Sequence, residues 1–444
     1  MERTGTAVFI AMIAFLAFVG GAMTILAQAF PYQYLRNAYR AGESLVVQRQ
    51  LTDDPLGTSM YQPARDDARG VTVHDPDRAF EGYTLYTSGD EQVARLIDMD
   101  GNLLYEWQLP FSKVWNDTAA VKKPQPDHMV YKERARLLPN GDVLVIYNSP
   151  GETPWGYGMA RIDRNSNPSW SYLEQVHHDL DIAPDGRIYT LTHELSSDVP
   201  EAAPQLDAPY LKDFLVVLSE DGRELEKISL TEPFLRSRYK FLFTTLPYYA
   251  LADPLHTNSV EYISDEKARN FPFADEGDVL LSFRDLSLVA VFSMKTREIT
   301  WAARGAWLQQ HGPTLLPDGD ILLFDNFGDL RDENSSRVVQ FDPRTANVTW
   351  EYGGEAGRPL HSTIRSMVER LPNGNTLVTE ADGGRIFEVA PSGDIVWEYV
   401  NPVRKGEKDE FIPFLNDGQR IDPASLDPEF RRRLEERQTA QVGS

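Results

Sequence analysis

Between about residues 82 and 403 the chain alternates short apolar runs with polar turns, on a repeat of roughly 40 to 55 residues. The clearest unit is a turn followed by a β-rich stretch. It reads Leu138-Pro139-Asn140-Gly141 before 142–146, and Ala183-Pro184-Asp185-Gly186 before 187–189. It returns as Leu316-Pro317-Asp318-Gly319 before 320–323, and as Leu371-Pro372-Asn373-Gly374 before 375–378. Asn-Gly and Asp-Gly accept the positive φ angles that tight hairpins need. A second element closes each unit: a strand, a polar turn, and a strand ending near Trp. It spans 94–107, 159–170, 289–301, 338–350 and 386–397, with 214–228 as a copy that lacks the Trp. Two hairpins make one four-stranded blade, so six closing hairpins predict an all-β, six-bladed β-propeller. The first blade has no clear opening hairpin; a strand from around Gly82 or from the C-terminal tail completes it. Insertions at 196–209 and 230–254 are expected as loops or short helices over one face.

The ends of the chain read differently. Residues 7–27 carry no charge and are rich in Ala, Phe, Ile, Val and Met. That is long enough for a single transmembrane helix. An uncleaved signal-anchor over 1–30 is the expectation, with Ala27-Gln28-Ala29 as the cleavage site of the alternative, a removed signal. The flanking charges (Glu2 and Arg3 before, Arg36 and Arg40 after) give little orientation signal. The propeller is expected on the periplasmic, extracytoplasmic side of the membrane. Residues 31–81 read as stalk and linker, helical over 31–51 and rich in Asp, Pro and Gly over 52–75. Residues 82–403 form the propeller. Residues 404–444 read as a charged tail with a helical, solvent-exposed stretch at 427–437.

Composition narrows the chemistry. A length of 444 residues would suggest several domains, but repeat folds override that prior. The net charge of −23 and the lack of a basic stripe exclude nucleic acid as a partner. An anionic substrate would therefore need a local cluster of His and Arg. With no cysteine, disulfides and thiolate metal sites are excluded.

The chain has only eight histidines. His178 lies eight residues before Gly186, His311 eight before Gly319, and His256 eight before Ser264, which holds the same turn position. Three repeats thus place a His at one structural address, where the innermost strand of a blade begins beside the central channel. The second and sixth repeats have Glu133 and Ser366 there, and His361 with Arg365 lies just upstream in the sixth. Any one such His is more often structural than functional; three in register point to convergence. Converging imidazoles suit a metal, or an anionic group with one imidazole as nucleophile. Arg284, in Ser282-Phe283-Arg284, favours the anion, because a guanidinium cannot ligate a metal and is a planar oxyanion donor. Asp325-Asn326 follows the strand 321–324, and could orient a ring nitrogen, bind substrate, or simply make a turn.

At these residues the sequence resembles the aryl-sulfate sulfotransferase (arylsulfotransferase) family. The stretches are His256-Thr257-Asn258-Ser259-Val260, Leu281-Ser282-Phe283-Arg284, Trp301 through Gln310-His311-Gly312, and Phe324-Asp325-Asn326, with His177-His178-Asp179 upstream. The resemblance extends from about 82 to 401 and is densest between His256 and Asn326. It implies a six-bladed propeller that moves a sulfuryl group from a phenolic sulfate ester to a phenol, without the nucleotide sulfate donor PAPS and without cofactor or metal. It implies a transient sulfohistidine and ping-pong kinetics. By match, His311 is the nucleophile, and His256, Arg284 and His178 hold the sulfate oxygens, supported by Asn258. Leaving-group protonation falls to His256 or His178. Ser282, Asp325, Asn326 and His361 are further substrate-binding candidates. Family members with a small N-terminal β domain and a disulfide differ from this chain, which has an anchor, a stalk and no Cys. A homodimer is compatible with the resemblance. Two other readings stand beside it: a non-catalytic, membrane-anchored binding or assembly propeller, and a hydrolase whose metal the three in-register histidines hold.

Overall fold

The computed structural model describes residues 2–442 apart from 33, 37, 40, 41, 43–48, 50–53, 152 and 330–334. It divides into two compact units, Met1–Asp54 and Pro55–Ser444. The first unit contains a helix, Glu2–Leu26, whose stretch Gly5–Leu26 is long and apolar enough to cross a membrane. Anchors and signal sequences both have this property. The helical stalk expected over 31–51 lies largely outside the described residues.

The second unit is a six-bladed propeller. Each blade is a four-stranded antiparallel sheet, taken here from the channel outward. Blade two is Tyr131–Leu137, Val143–Asn148, Gly158–Ile162 and Pro168–Tyr172. Blade three is Val176–Ile182, Ile188–Ser196, Tyr210–Leu218 and Glu224–Ser229. Blade four is Thr257–Tyr262, Val279–Phe283, Leu288–Ser293 and Glu298–Ala303. Blade five is His311–Leu315, Ile321–Asp329, Ser335–Phe341 and Val348–Tyr352. Blade six is Met367–Arg370, Thr376–Glu380, Arg385–Val389 and Ile395–Val400, extended outward by Gly70–His74. Blade one closes the ring: Leu415–Ile421 is its innermost strand, followed by Tyr83–Ser88, Val93–Ile97 and Leu103–Gln108. Both ends of the repeat region thus share one sheet, which ties the ring shut through a hydrogen-bonded ladder.

The repeat has a physical basis. In the turns, Gly141, Gly186, Gly319 and Gly374 have φ between 83° and 91°. The Asn or Asp before each glycine accepts the N–H two residues on, as Asn140 does from Asp142 and Asp318 from Asp320. The closing tryptophans bind the next blade. Trp107 Nε1 donates to the Gly141 carbonyl at 2.9 Å, Trp350 to Pro391 at 3.2 Å, and Trp397 to Met99 at 2.8 Å.

The innermost strands would leave edge N–H groups unpaired. Carboxylates of the preceding blade take them. Asp417 accepts from Ala135, Glu133 from His178, Asp179 from Val260, Glu261 from Leu315 and Glu369 from Arg420, all between 2.8 and 3.1 Å. Hydrogen bonds to charged groups contribute about 1.5–3 kcal/mol each. Part of the chain's acidity is therefore buried at blade junctions.

Strand Leu415–Ile421 comes from the stretch set down as a charged tail, and Gly70–His74 from the linker. The C-terminal helix, Pro428–Val442, departs from the exposed helix expected there. Phe430 and Leu434 are fully buried against Tyr105, Trp107 and Ile162. Two apolar residues at i, i+4 make a contact stripe too narrow to stand out in so charged a sequence. The 230–254 insertion does form short helices, Thr231–Arg236 and the 3-10 turns Lys240–Thr245 and Tyr248–Ala250.

Candidate active site

The innermost strands are irregular near the end where they begin. Ladder register shifts between Lys132 and Arg134, His177 and Leu180, Thr257 and Ser259, His311 and Thr314, and Leu415 and Asp417. A bulge kinks the strand and re-aims its side chains. The common count of eight to the turn hides three local routes. His178 sits inside its bulge with φ 59°, His256 precedes its strand with φ 45°, and His311 stands just before a bulge opened by Gly312 at φ 54°. Such conformations cost of order 1–3 kcal/mol at a non-glycine and gather at functional sites.

All three rings and Arg284 line one cavity of about 240 Å³, together with Trp155, Tyr131, Glu133 and Arg365. The His178 and His256 ring centroids are 5.1 Å apart, and Trp155 stands 5.0 Å from His256.

His311 is held in one tautomer. Its Nδ1 lies 2.7 Å from Asn326 Oδ1 and 3.1 Å from the Gln309 carbonyl. Asn326 Nδ2 donates to the carbonyls of Ser362 and Arg365 at 2.9 and 3.2 Å, so its oxygen must face His311. Both neighbours of Nδ1 are acceptors; Nδ1 carries the proton and Nε2 the lone pair. Burial, then the Arg284 charge, lowers the pKa to about 3. The ring is neutral at neutral pH.

His256 has the opposite environment. Its Nδ1 bonds the Asp253 carboxylate, and Arg284 Nη1 stands 3.5 Å from its Nε2. Burial works against a charged ring, but the Asp253 charge and hydrogen bond outweigh it, and the pKa is raised above 6.5. Arg284 also donates to Asp285 and Gln309 at 3.1 Å each, and keeps a buried Nε–H with no partner among the described residues. His178 is depressed well below the ordinary value by burial, then by the neighbouring rings. Its Nδ1 is 2.7 Å from His177 Nδ1. A neutral imidazole, a protonatable imidazole and a guanidinium with spare donors on one small cavity suit an anion that exchanges a group.

The remaining sequence candidates lie outside the cavity wall. Asn326 reaches it through His311. Asn258 is buried, with Nδ2 donating to the Gln310 carbonyl at 2.8 Å. Ser282 accepts from Gln310 Nε2 at 2.9 Å. Asp325 binds the N–H groups of Leu308 and Gly328 and the Arg337 guanidinium, which makes it a turn and strand anchor. His361 is exposed and borders a separate hollow with Arg65 and Arg358. Sequence reading missed Asp253, Trp155 and His193. Asp253 had a signal, lying three residues before His256; Trp155 had none, since it sits in an irregular loop of blade two.

No curated protein matches the sequence. Among solved structures the chain is similar to a Bacteroides caccae protein of unknown function (13% identity, 76% of this chain and 98% of that one, TM-score 0.47). It is similar to virginiamycin B lyase from Staphylococcus aureus (13%, 80% and 97%, TM-score 0.39) and to the WD40 β-propeller domain of Doa1 (10%, 83% and 99%, TM-score 0.40). The model of the Arylsulfotransferase (ASST) family matches residues 134–402, more than half of the sequence and every residue from Arg284 to the three channel histidines, and the chain belongs to that family.

Proposed function

We propose that the protein is a membrane-anchored aryl-sulfate sulfotransferase working through a sulfohistidine on His311. Family membership supports arylsulfotransferase activity in general, with aryl sulfate and phenol as substrates. The observation that carries the finer reading is the opposed surroundings of two imidazoles on one cavity: Asn326 and the Gln309 carbonyl leave a lone pair on His311 Nε2, while the Asp253 carboxylate favours the charged form of His256.

In the first half-reaction the lone pair on His311 Nε2 attacks sulfur. The bond from sulfur to the aryl oxygen breaks, and protonated His256 gives its proton to the departing phenolate. His256 takes this role in preference to His178 because only its pKa is raised. Arg284 balances charge on the sulfuryl oxygens, which also relieves the repulsion between its guanidinium and a protonated His256. In the second half, neutral His256 removes the acceptor phenol's proton. The phenol oxygen attacks sulfur, and the sulfur–nitrogen pair returns to His311. Asn326 is a positioning residue that holds the nucleophilic tautomer. No cofactor enters this scheme. The apolar stretch Gly5–Leu26 supports anchoring in a membrane, and the propeller is placed by this proposal on the extracytoplasmic side.

The test is steady-state kinetics of the full chain in detergent, with a chromogenic aryl sulfate and a phenol. Parallel double-reciprocal lines, and a sulfuryl mass gain on the peptide carrying His311 when acceptor is withheld, are the expected results. Intersecting lines with no adduct would sink the covalent route.

A further inference from the structure

Blade three holds a second cluster that the transfer scheme does not use. His177 is on its innermost strand, His193 on the second and Asp213 on the third. His193 and Asp213 are ladder partners, and His177 faces Leu191, two residues from His193. Alternation along strands then puts all three side chains on one face. Each is about 1% exposed. One ligand atom from each of the three lies within 4.8 Å of one from each of the others.

Hydrogen bonds leave one atom of each residue over. His177 uses Nδ1 on His178 at 2.7 Å. His193 uses Nε2 on the Trp155 carbonyl at 2.6 Å. Asp213 uses Oδ2 on the Thr257 N–H and hydroxyl at 2.8 and 2.6 Å. What remains is His177 Nε2, His193 Nδ1 and Asp213 Oδ1, all buried and without a hydrogen-bond partner among the described residues. Buried polar atoms are rarely left so, and three in one place call for a common occupant. The tautomer of His193 selects it. A carbonyl only accepts, so Nε2 carries the proton and Nδ1 offers a lone pair, the arrangement found behind metal-ligating histidines.

The geometry points to a buried divalent-cation site formed by His177 Nε2, His193 Nδ1 and Asp213 Oδ1. Two imidazoles and a carboxylate suit zinc. Binding has a consequence for the cavity. An ion on Nε2 leaves the His177 proton on Nδ1, which then donates to His178 Nδ1. His178 must carry its own proton on Nε2, as a hydrogen-bond donor.

The full chain, purified in detergent without an oligohistidine tag, would be equilibrated with zinc, desalted and analysed by inductively coupled plasma mass spectrometry. We expect about one zinc per chain, falling at least about tenfold in His193→Ala and in Asp213→Asn and unchanged in His311→Ala. A second measurement covers variants that fail to fold: in the unsubstituted chain, zinc raises Tm, a chelator lowers it, and cobalt(II) gives visible ligand-field bands. No stoichiometric zinc together with no Tm response overturns the site and leaves a water as the occupant. One zinc retained in both blade-three variants overturns it by placing the ion elsewhere. None of these readouts depends on sulfuryl transfer, so either proposal can fail alone.

Discussion

Half of the ring carries imidazole at the mouth of the channel, and half does not. Blades three, four and five present His178, His256 and His311; blades one, two and six have Asn416, Glu133 and Ser366 at that level. The backbone irregularity is common to both halves, since Glu133 and Asn416 also sit where the register shifts. What differs is the bonding of the side chains. Asn416 Nδ2 binds the Glu133 carbonyl, Glu133 takes the His178 N–H, and Ser366 takes the Ala381 N–H at 3.0 Å. Those groups are used up in holding the ring. In the histidine half, the hydrogen bonds of His178 and His311 run through Nδ1, and a buried Arg284 N–H has no partner among the described residues. The bulge is therefore a property of the fold, and the chemistry is a property of which blades have imidazole in reach of it.

Substitutions sharpen that contrast, beginning with the largest effect. His311→Ala should abolish aryl-sulfate turnover, a fall of at least about 10⁴-fold, with the circular dichroism spectrum unchanged; retained activity would remove it as nucleophile. Arg284→Lys should lower kcat/KM by about 10²–10³-fold, because a point charge replaces a planar fork of donors; a near-normal rate would take it out of the site. Asp253→Asn should cost roughly tenfold and reshape the pH profile. The raised His256 pKa means its acid form exists below that pKa and is lost as pH rises through it. Without the carboxylate the pKa drops, so the alkaline limb should move to lower pH, while His311, at about 3, stays neutral throughout. An unmoved limb would assign the acid to another group. His361→Ala, in the other half of the ring, should leave turnover within about twofold; a large loss would extend the site to blade six.

Much of the fold is legible because propellers repeat. The turn glycines and closing tryptophans each perform one physical task several times over, so the same residue types recur at the same spacing. His178, His256 and His311 are located by that register, whereas Arg284 stands out by its chemistry and by the family resemblance. The blade-one strand Leu415–Ile421 is legible only as one of two possibilities, because it lies far from its partner Tyr83–Ser88 and no turn links them.

Sequence by itself determined the period, the blade number, the apolar N-terminal helix and the histidine register, all of which follow from local rules about turns, alternation and length. Tertiary structure decided which imidazole is neutral and which is protonatable. That depends on Asp253 from an insertion loop, Asn326 from a neighbouring strand and the Arg284 charge, groups that only the packed ring brings against the two rings. It likewise decided that His177, His193 and Asp213 meet on one buried face, since three strands must pair in one register before any of them shares a neighbour.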